Sequence, residues 1–185
     1  MSVGSLLRSF YLLYFSQPAH DRALYRAVRP RPIGSIVELG IALTNRTHRL
    51  LEIAGWRNID SQLRYTGIDL FEARPIDRHR LPLKHAFASL QAPNIRVQLV
   101  PGDPETALRR TANSLVGTDL LIISADQDRD ALARAWTWMP RMLTATSLVF
   151  LEEPAEKTGQ TAWRRLTFAD VERLAAQSKP PRRAA

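Results

Sequence analysis

The segment from Ser35 to Thr44, SIVELGIALT, constrains the fold of this chain more than any other. Ile36, Val37 and Leu39 make an apolar run of strand length, and the run closes at Gly40, a residue that turns the backbone through positive φ without steric cost. Thr44 and Asn45 are capping residues, and the apolar positions Leu50, Leu51 and Ile53 precede a helix stop at Gly55. Strand, tight turn and helix in that order open a parallel α/β unit. Such a turn brings backbone close to a ligand when the alternate positions after the first glycine are also glycine, and here they are Ala42 and Thr44.

The pattern then repeats. Leu63 to Asp69 is a second strand, Pro82 to Leu90 a helix, and Ile95 to Val100 a third strand. Asp103 caps the next helix, with Pro104 at its first position, where no amide hydrogen is missed. Thr118 to Ile123 reads as a buried strand, Asp128 to Leu143 as one amphipathic helix, and Ser147 to Glu152 as a fifth strand. Alternation at these lengths predicts a doubly wound, Rossmann-like, mostly parallel sheet with helices on both faces. Ahead of it, Leu6, Leu7, Phe10, Leu13 and Tyr14 recur at helical spacing, and a second helix from Pro18 to Val28 leads into Pro30-Arg31-Pro32. Behind it, Thr167 to Gln177 is a helix in which Asp170 completes a capping-box-like pair. The expected organisation is a helical segment over 1–32, a core over 33–153, a helical extension over 154–178 and a basic tail over 179–185.

Composition narrows the function classes. The length of 185 residues, with 45% hydrophobic and 24% charged, suits one globular α/β domain. With no cysteine there are no disulfides, cysteine zinc sites or thiol nucleophiles. The net charge is +8 and 23 of the 26 basic residues are arginine, but they are scattered from Arg8 to Arg183 without aromatic interleaving, which argues against a nucleic-acid surface. The apolar stretch from Leu6 is broken by Arg8 and ended by Gln17-Pro18, short of the roughly 20 residues that span a bilayer. No small-residue cleavage site follows, so no transmembrane segment is predicted and a cytoplasmic location is expected. That helix is expected to pack on the core, or to cover a site or a partner subunit. His20, His48, His79 and His85 lack ligand spacing, no Ser/His/acid set is legible, and no metal site is predicted.

In doubly wound sheets ligands bind beyond the carboxyl ends of the strands. Those ends carry Glu38 and Gly40, then Asp69, then Gly102 and Asp103, then Ser124 and Asp126, then Glu152 and Glu153. Acids at successive strand ends suit ribose hydroxyls, an amine or a cationic centre, and suit a polyphosphate poorly. Each has a plainer role open to it: Glu38 as an ion-pair partner for an arginine, Asp69 as a turn residue, Asp103 as a helix cap. Trp136, with Leu132, Met139 and Leu143, fits a core face.

Taken in order, VELG, YTGID, VQLVPGDPETAL, TDLLIISADQDRDALARAWTWMPRML and LVFLEE resemble the class I S-adenosylmethionine-dependent methyltransferases, and within them the small O-methyltransferase-like branch. The resemblance covers about residues 33–153. It implies S-adenosyl-L-methionine as cofactor and a small-molecule acceptor. Glu38 and Gly40 would frame the methionine, Asp69 would accept from the ribose, Asp103 with its neighbours would border the adenine, and Ala42, Gly102 and Asp126 complete the expected cofactor-binding set. Asp126, Glu152 and Glu153 are the candidate general bases.

The chain also departs from the family. Of the pattern Glu-x-Gly-x-Gly-x-Gly only Gly40 survives, and Ser124 stands where the metal-dependent branch carries an acid. After Glu153 the family adds a helix and an antiparallel hairpin, and a sheet without that closing hairpin is open here. Two readings follow: a methyltransferase, or a non-catalytic relative that kept the sheet and lost effective cofactor binding. A dinucleotide enzyme ranks below both, because Gly40-x-Ala42-x-x-Asn45 lacks two of the three glycines its turn needs. The apolar first helix and an open sheet edge make a homodimer reasonable.

Overall fold

The computed structural model describes residues 3–41, 44–56, 62–76, 80–154 and 161–178. Six strands form one sheet: β1 (Ser35–Leu39), β2 (Leu63–Asp69), β3 (Ile95–Pro101), β4 (Leu120–Ile123), β5 (Leu148–Pro154) and β6 (Thr161–Leu166). Their order is β3-β2-β1-β4-β5-β6, with β1 to β5 parallel and β6 antiparallel to β5. β1 and β4 are buried along their whole length, as central parallel strands covered on both faces must be. The edge strand β3 instead alternates, exposing Arg96 and Gln98.

Side-chain alternation along β1 sorts the core into two layers. Ile36 points to one face, where it packs with Tyr65, Leu120, Ile122 and the buried Leu50 and Ile53 of α3 (Thr44–Gly55). Val37 and Leu39 point to the other, against Leu121, Ile123, Leu108 of α5 (Pro104–Thr111) and Trp136. α4 (Leu83–Leu90) makes the crossover from β2 to β3, and α6 (Arg129–Ala135) the one from β4 to β5. Strand order reverses at β1, which has β2 on one side and β4 on the other, so the ligand crevice of this topology lies over the carboxyl ends of β1 and β4.

α1 (Val3–Tyr14) and α2 (Asp21–Val28) lie on the α3 side, where Leu12, Leu24, Tyr25 and Val28 join the core. α7 (Phe168–Ser178) covers the other side through Val171. Its predicted cap is present: the amide of Thr167 donates to Asp170 Oδ2 at 3.0 Å, and the amide of Asp170 donates to Thr167 Oγ1 at 3.2 Å.

Two expectations need correction. The helix predicted over 128–143 breaks into α6 and a 3₁₀ segment, Trp136–Arg141, with Pro140 inside it. Proline lacks the amide hydrogen and crowds the carbonyl four residues back, so the α-helix cannot continue through it. The region after Glu153, expected to hold only helix, contains β6, which pairs with β5 from Val149↔Leu166 to Pro154↔Thr161. The sheet therefore does close with an antiparallel strand. The basic tail over 179–185 lies outside the described residues.

Candidate functional site

At the crevice, Gly40 has φ of 81°, a conformation that glycine alone adopts freely. The turn is held by its amide, which donates to Ile68 O at 2.8 Å, and by its carbonyl, which accepts from Ser124 Oγ at 2.7 Å. The space above it is taken. A Cβ placed on Gly40 would lie 2.1 Å from Gln127 Nε2 and 2.8 Å from Asp126 Oδ1, and those two atoms are hydrogen-bonded to each other at 2.8 Å.

Asp69, at the end of β2, is 6% exposed and both its oxygens are engaged. Oδ1 accepts from the Phe71 amide at 2.9 Å and Arg74 Nε at 2.7 Å; Oδ2 accepts from the Ile41 amide at 2.8 Å and Arg74 Nη2 at 2.5 Å. Arg74 Nη2 also donates to Ile41 O at 2.8 Å. Hydrogen bonding to Asp69 raises the Arg74 pKa above the ordinary arginine value, as a charge-assisted fork should. The sharp exit from β2 that brings Arg74 round passes through Phe71, whose φ is 49°.

Beneath the crevice, on the α3 side, lies a second cluster. Glu38 is fully buried. Its Oε1 meets Arg46 Nη2 at 3.0 Å, and its Oε2 accepts from Thr47 Oγ1 at 2.9 Å and Tyr65 Oη at 2.7 Å. Arg46 also reaches Glu152 Oε2 at 3.2 Å and Ser124 Oγ at 2.5 Å, and its guanidinium stacks on the Trp163 ring at 5.0 Å. Glu152 accepts in addition from Thr161 Oγ1 at 2.7 Å and lies 3.4 Å from His20 Nε2. His20 Nε2 is the same distance, 3.4 Å, from Asp21 Oδ1, which accepts from Trp163 Nε1 at 3.0 Å.

The charges in this cluster hold one another. Burial opposes the Arg46 charge, but Glu38 and Glu152 outweigh it and lift its pKa above the ordinary value. Burial, and then Glu38, push the Tyr65 phenol well above its usual range, so it stays a donor. Burial also pushes the Asp21 carboxyl up, against the Trp163 hydrogen bond and the Arg46 charge. Arg46 occupies the first turn of α3, where the helix dipole disfavours a cation, and the two carboxylates offset that cost.

After β3, Gly102 has φ of 138° and its amide donates to Asp69 O at 2.9 Å. Asp103 caps α5, accepting from the Thr106 amide at 3.0 Å and from Thr106 Oγ1 at 2.6 Å. Burial disfavours its charge, but the Thr106 hydrogen bonds win and lower its pKa. Between Asp69, Arg74, Asp103, Asp126 and Gln127 there remains a pocket of about 30 Å³. That holds roughly one water molecule, whereas small-ligand pockets run from about 300 to 1,000 Å³.

The strand-end residues thus separate. Gly40, Asp69, Gly102, Asp103 and Asp126 converge at the crevice, Glu38 and Glu152 turn inward to Arg46, and Ala42 lies outside the described residues. Glu153 alternates to the opposite face of β5 from Glu152 and pairs with Arg164 at 2.9 Å. Among the described residues no group of three or more His, Asp and Glu is arranged to hold a metal ion. Arg46, Arg74 and Gln127 went unmarked in the sequence. The available signal was spacing, an arginine five residues past one strand-end acid and another eight past the other, but in an arginine-rich chain that spacing is common.

No protein-family model matches the sequence, and no curated protein matches it. Solved structures do match in fold. An O-methyltransferase from Bacillus cereus in complex with S-adenosylhomocysteine (SAH) aligns with a TM-score of 0.56 at 13% identity, covering 96% of this chain and 79% of that one. Cofactor-bound Rv0187 from MTB aligns with a TM-score of 0.52 at 14% identity, covering 96% and 76%. A TehB-like S-adenosylmethionine-dependent methyltransferase from Corynebacterium glutamicum aligns at 0.50 and 17% identity, covering 95% and 80%. The chain spans only 35% and 33% of two MycE methyltransferase structures, at TM-scores of 0.44. The fold is that of S-adenosylmethionine-dependent methyltransferases.

For the cofactor of that fold, the acceptors at the crevice would be Asp69 and Asp103, and both carboxylates are already engaged within the chain, by Arg74 and two amides and by Thr106. The space does not fit the cofactor, because the side chains of Arg74, Gln127 and Asp126 stand there.

Proposed function

We propose that this chain is a methyltransferase-fold protein in which internal contacts have replaced the cofactor, and that it works as a non-catalytic binding or scaffold module. The observation that carries the reading is the Arg74 fork on Asp69, which gives the carboxylate expected to meet ribose hydroxyls two cationic donors from its own chain. Gln127 over Gly40 and Arg46 between Glu38 and Glu152 support it, since each fills or neutralises a place that a sulfonium nucleoside would need.

The test is a thermal-shift titration with S-adenosylmethionine and SAH, backed by calorimetry. A ligand at about 100 times its dissociation constant stabilises a fold by about 2.7 kcal/mol, a few degrees in Tm for a domain of this size. The expected result is no saturable shift at millimolar ligand. A saturable shift overturns the reading.

One observation favours a second reading, that of a methyltransferase of the small O-methyltransferase branch acting on a small-molecule acceptor. The blocking groups over the crevice include the far ends of two flexible side chains, Arg74 and Gln127, while the turn at Gly40 and the cap at Asp103 keep their form. In that reading Asp126, Glu152 and Glu153 are the candidate general bases, and Glu152 would first have to leave Arg46 and Thr161.

A further inference from the structure

The first helix presents its apolar side to solvent. Leu6, Leu7, Phe10, Tyr11, Tyr14 and Phe15 are all exposed, Leu7 to 67% and Phe15 to 58%. At about 100° per residue these six span roughly half the circumference of α1, an arc without a charge. The opposite side holds the helix to the protein through Leu12, Ser9 and Ser16, all buried. Phe10 packs on Tyr14 and Phe15, with ring centroids 5.1 and 5.6 Å apart, so the rings form one continuous patch. Six of the nine exposed large hydrophobic residues among the described residues belong to this one helix and the residue after it.

The surroundings are basic. Residues 1–33 contain five arginines and a single acid, Asp21, which is buried. Arg8 follows Phe15 around the helix and is half exposed, with Glu52 at 3.2 Å. Arg22 reaches Ser16 O at 2.7 Å and Arg49 reaches Gln17 O, which places two more cations at the end of the patch beside Phe15.

We infer that this face of α1 is a docking surface for an anionic lipid bilayer, on which the helix lies in the interfacial plane. An apolar arc flanked by arginines is the pattern of helices that bury one face among acyl chains and hold anionic headgroups with the other. Tyr11 and Tyr14 suit that depth, each with an apolar ring and a polar tip. No helix among the described residues is long and apolar enough to cross a membrane, so the contact is peripheral. A second copy of the chain fits the same face less well. A two-fold interface would set the arginine rim against an identical rim, and Glu52, the acid at hand, already serves Arg8. The inference is independent of whether the crevice takes a cofactor.

The test uses the full chain in vesicle co-sedimentation, with phosphatidylcholine vesicles that contain or lack phosphatidylglycerol, at low and high salt. Binding to the anionic vesicles should exceed binding to the neutral ones by about tenfold and should fall as salt screens the arginines. A variant with Leu7→Ser and Phe10→Ser should lose that binding and keep its far-ultraviolet circular dichroism, because both side chains face solvent. A Leu7→Trp variant should show a blue-shifted emission with anionic vesicles alone. Equal recovery of wild type and the double serine variant overturns the proposal. So does a dimer in sedimentation equilibrium that the same substitutions dissolve, with no vesicle binding.

Discussion

Arg74 and Asp69 form a two-pronged contact, Nε on one carboxylate oxygen at 2.7 Å and Nη2 on the other at 2.5 Å. A ribose diol would offer two donors to the same two oxygens. Arg74 is therefore a competitor for the position as well as a structural partner.

From this follows the first prediction. Replacing Arg74→Ala together with Gln127→Ala removes the fork and a group over Gly40, and SAH binding should appear in calorimetry where the wild type is expected to show none. Each ~1.4 kcal/mol no longer spent on displacing the ion pair strengthens binding about tenfold. A double variant as silent as the wild type would mean that the turn at Gly40 or the remaining Asp126, and not Arg74 and Gln127, excludes the ligand.

Arg46 is the sole guanidinium that the described structure sets between Glu38 and Glu152. Arg46→Met should lower unfolding free energy by about 3–5 kcal/mol, because it leaves buried carboxylates without their counter-charge. Urea denaturation at neutral pH measures this, and a loss below about 1 kcal/mol would show that the cluster relaxes freely once its cation is gone.

Asp21 should make stability fall as pH rises. Its folded-state pKa is raised by burial, so the unfolded chain ionises first, from the ordinary value of 3.8 upward. The favourable contribution is complete below that value and is lost as pH climbs through the folded one. Asp21→Asn, which keeps an acceptor for Trp163 Nε1, should thus stabilise the protein at pH 7 and bring no gain in acid. Melting curves across pH that run parallel for the two proteins would refute the assignment.

Asp103 has the opposite sign. Its pKa is lowered, so its contribution is present above 3.8 and lost as pH falls through the lower folded value. Asp103→Ala should cost about 1 kcal/mol through the lost α5 cap. In denaturant titrations the gap between the two proteins should close in strong acid, and a gap independent of pH would leave the cap without an electrostatic component.

The strands of the parallel sheet were legible because β1 and β4 are buried on both faces and read as unbroken apolar runs. The capping acids Asp103 and Asp170 were legible for a similar reason, since each contacts residues within one turn of itself. β6 was not. In TAWRRL only Trp163 and Leu166 turn inward strongly, and Arg165 breaks the apolar face that would mark a strand. Its place is set by backbone pairing with β5 and by the reach of Trp163 to Asp21, neither of which leaves a local trace. The crevice was half legible: the strand-end acids follow from topology, while the arginines that meet them are selected by three-dimensional proximity.

The hydrogen bond from Trp163 to Asp21 joins positions 142 residues apart, and Thr161 with His20 makes a second tie across 141. The surroundings of α2 are therefore incomplete until β6 exists. The polar contacts of α2 depend on β6, and a fragment ending before Thr161 would lose more than its last strand. It would hold Asp21, His20 and Glu152 without Trp163 and Thr161, so α2 and β6 are expected to open together in hydrogen exchange.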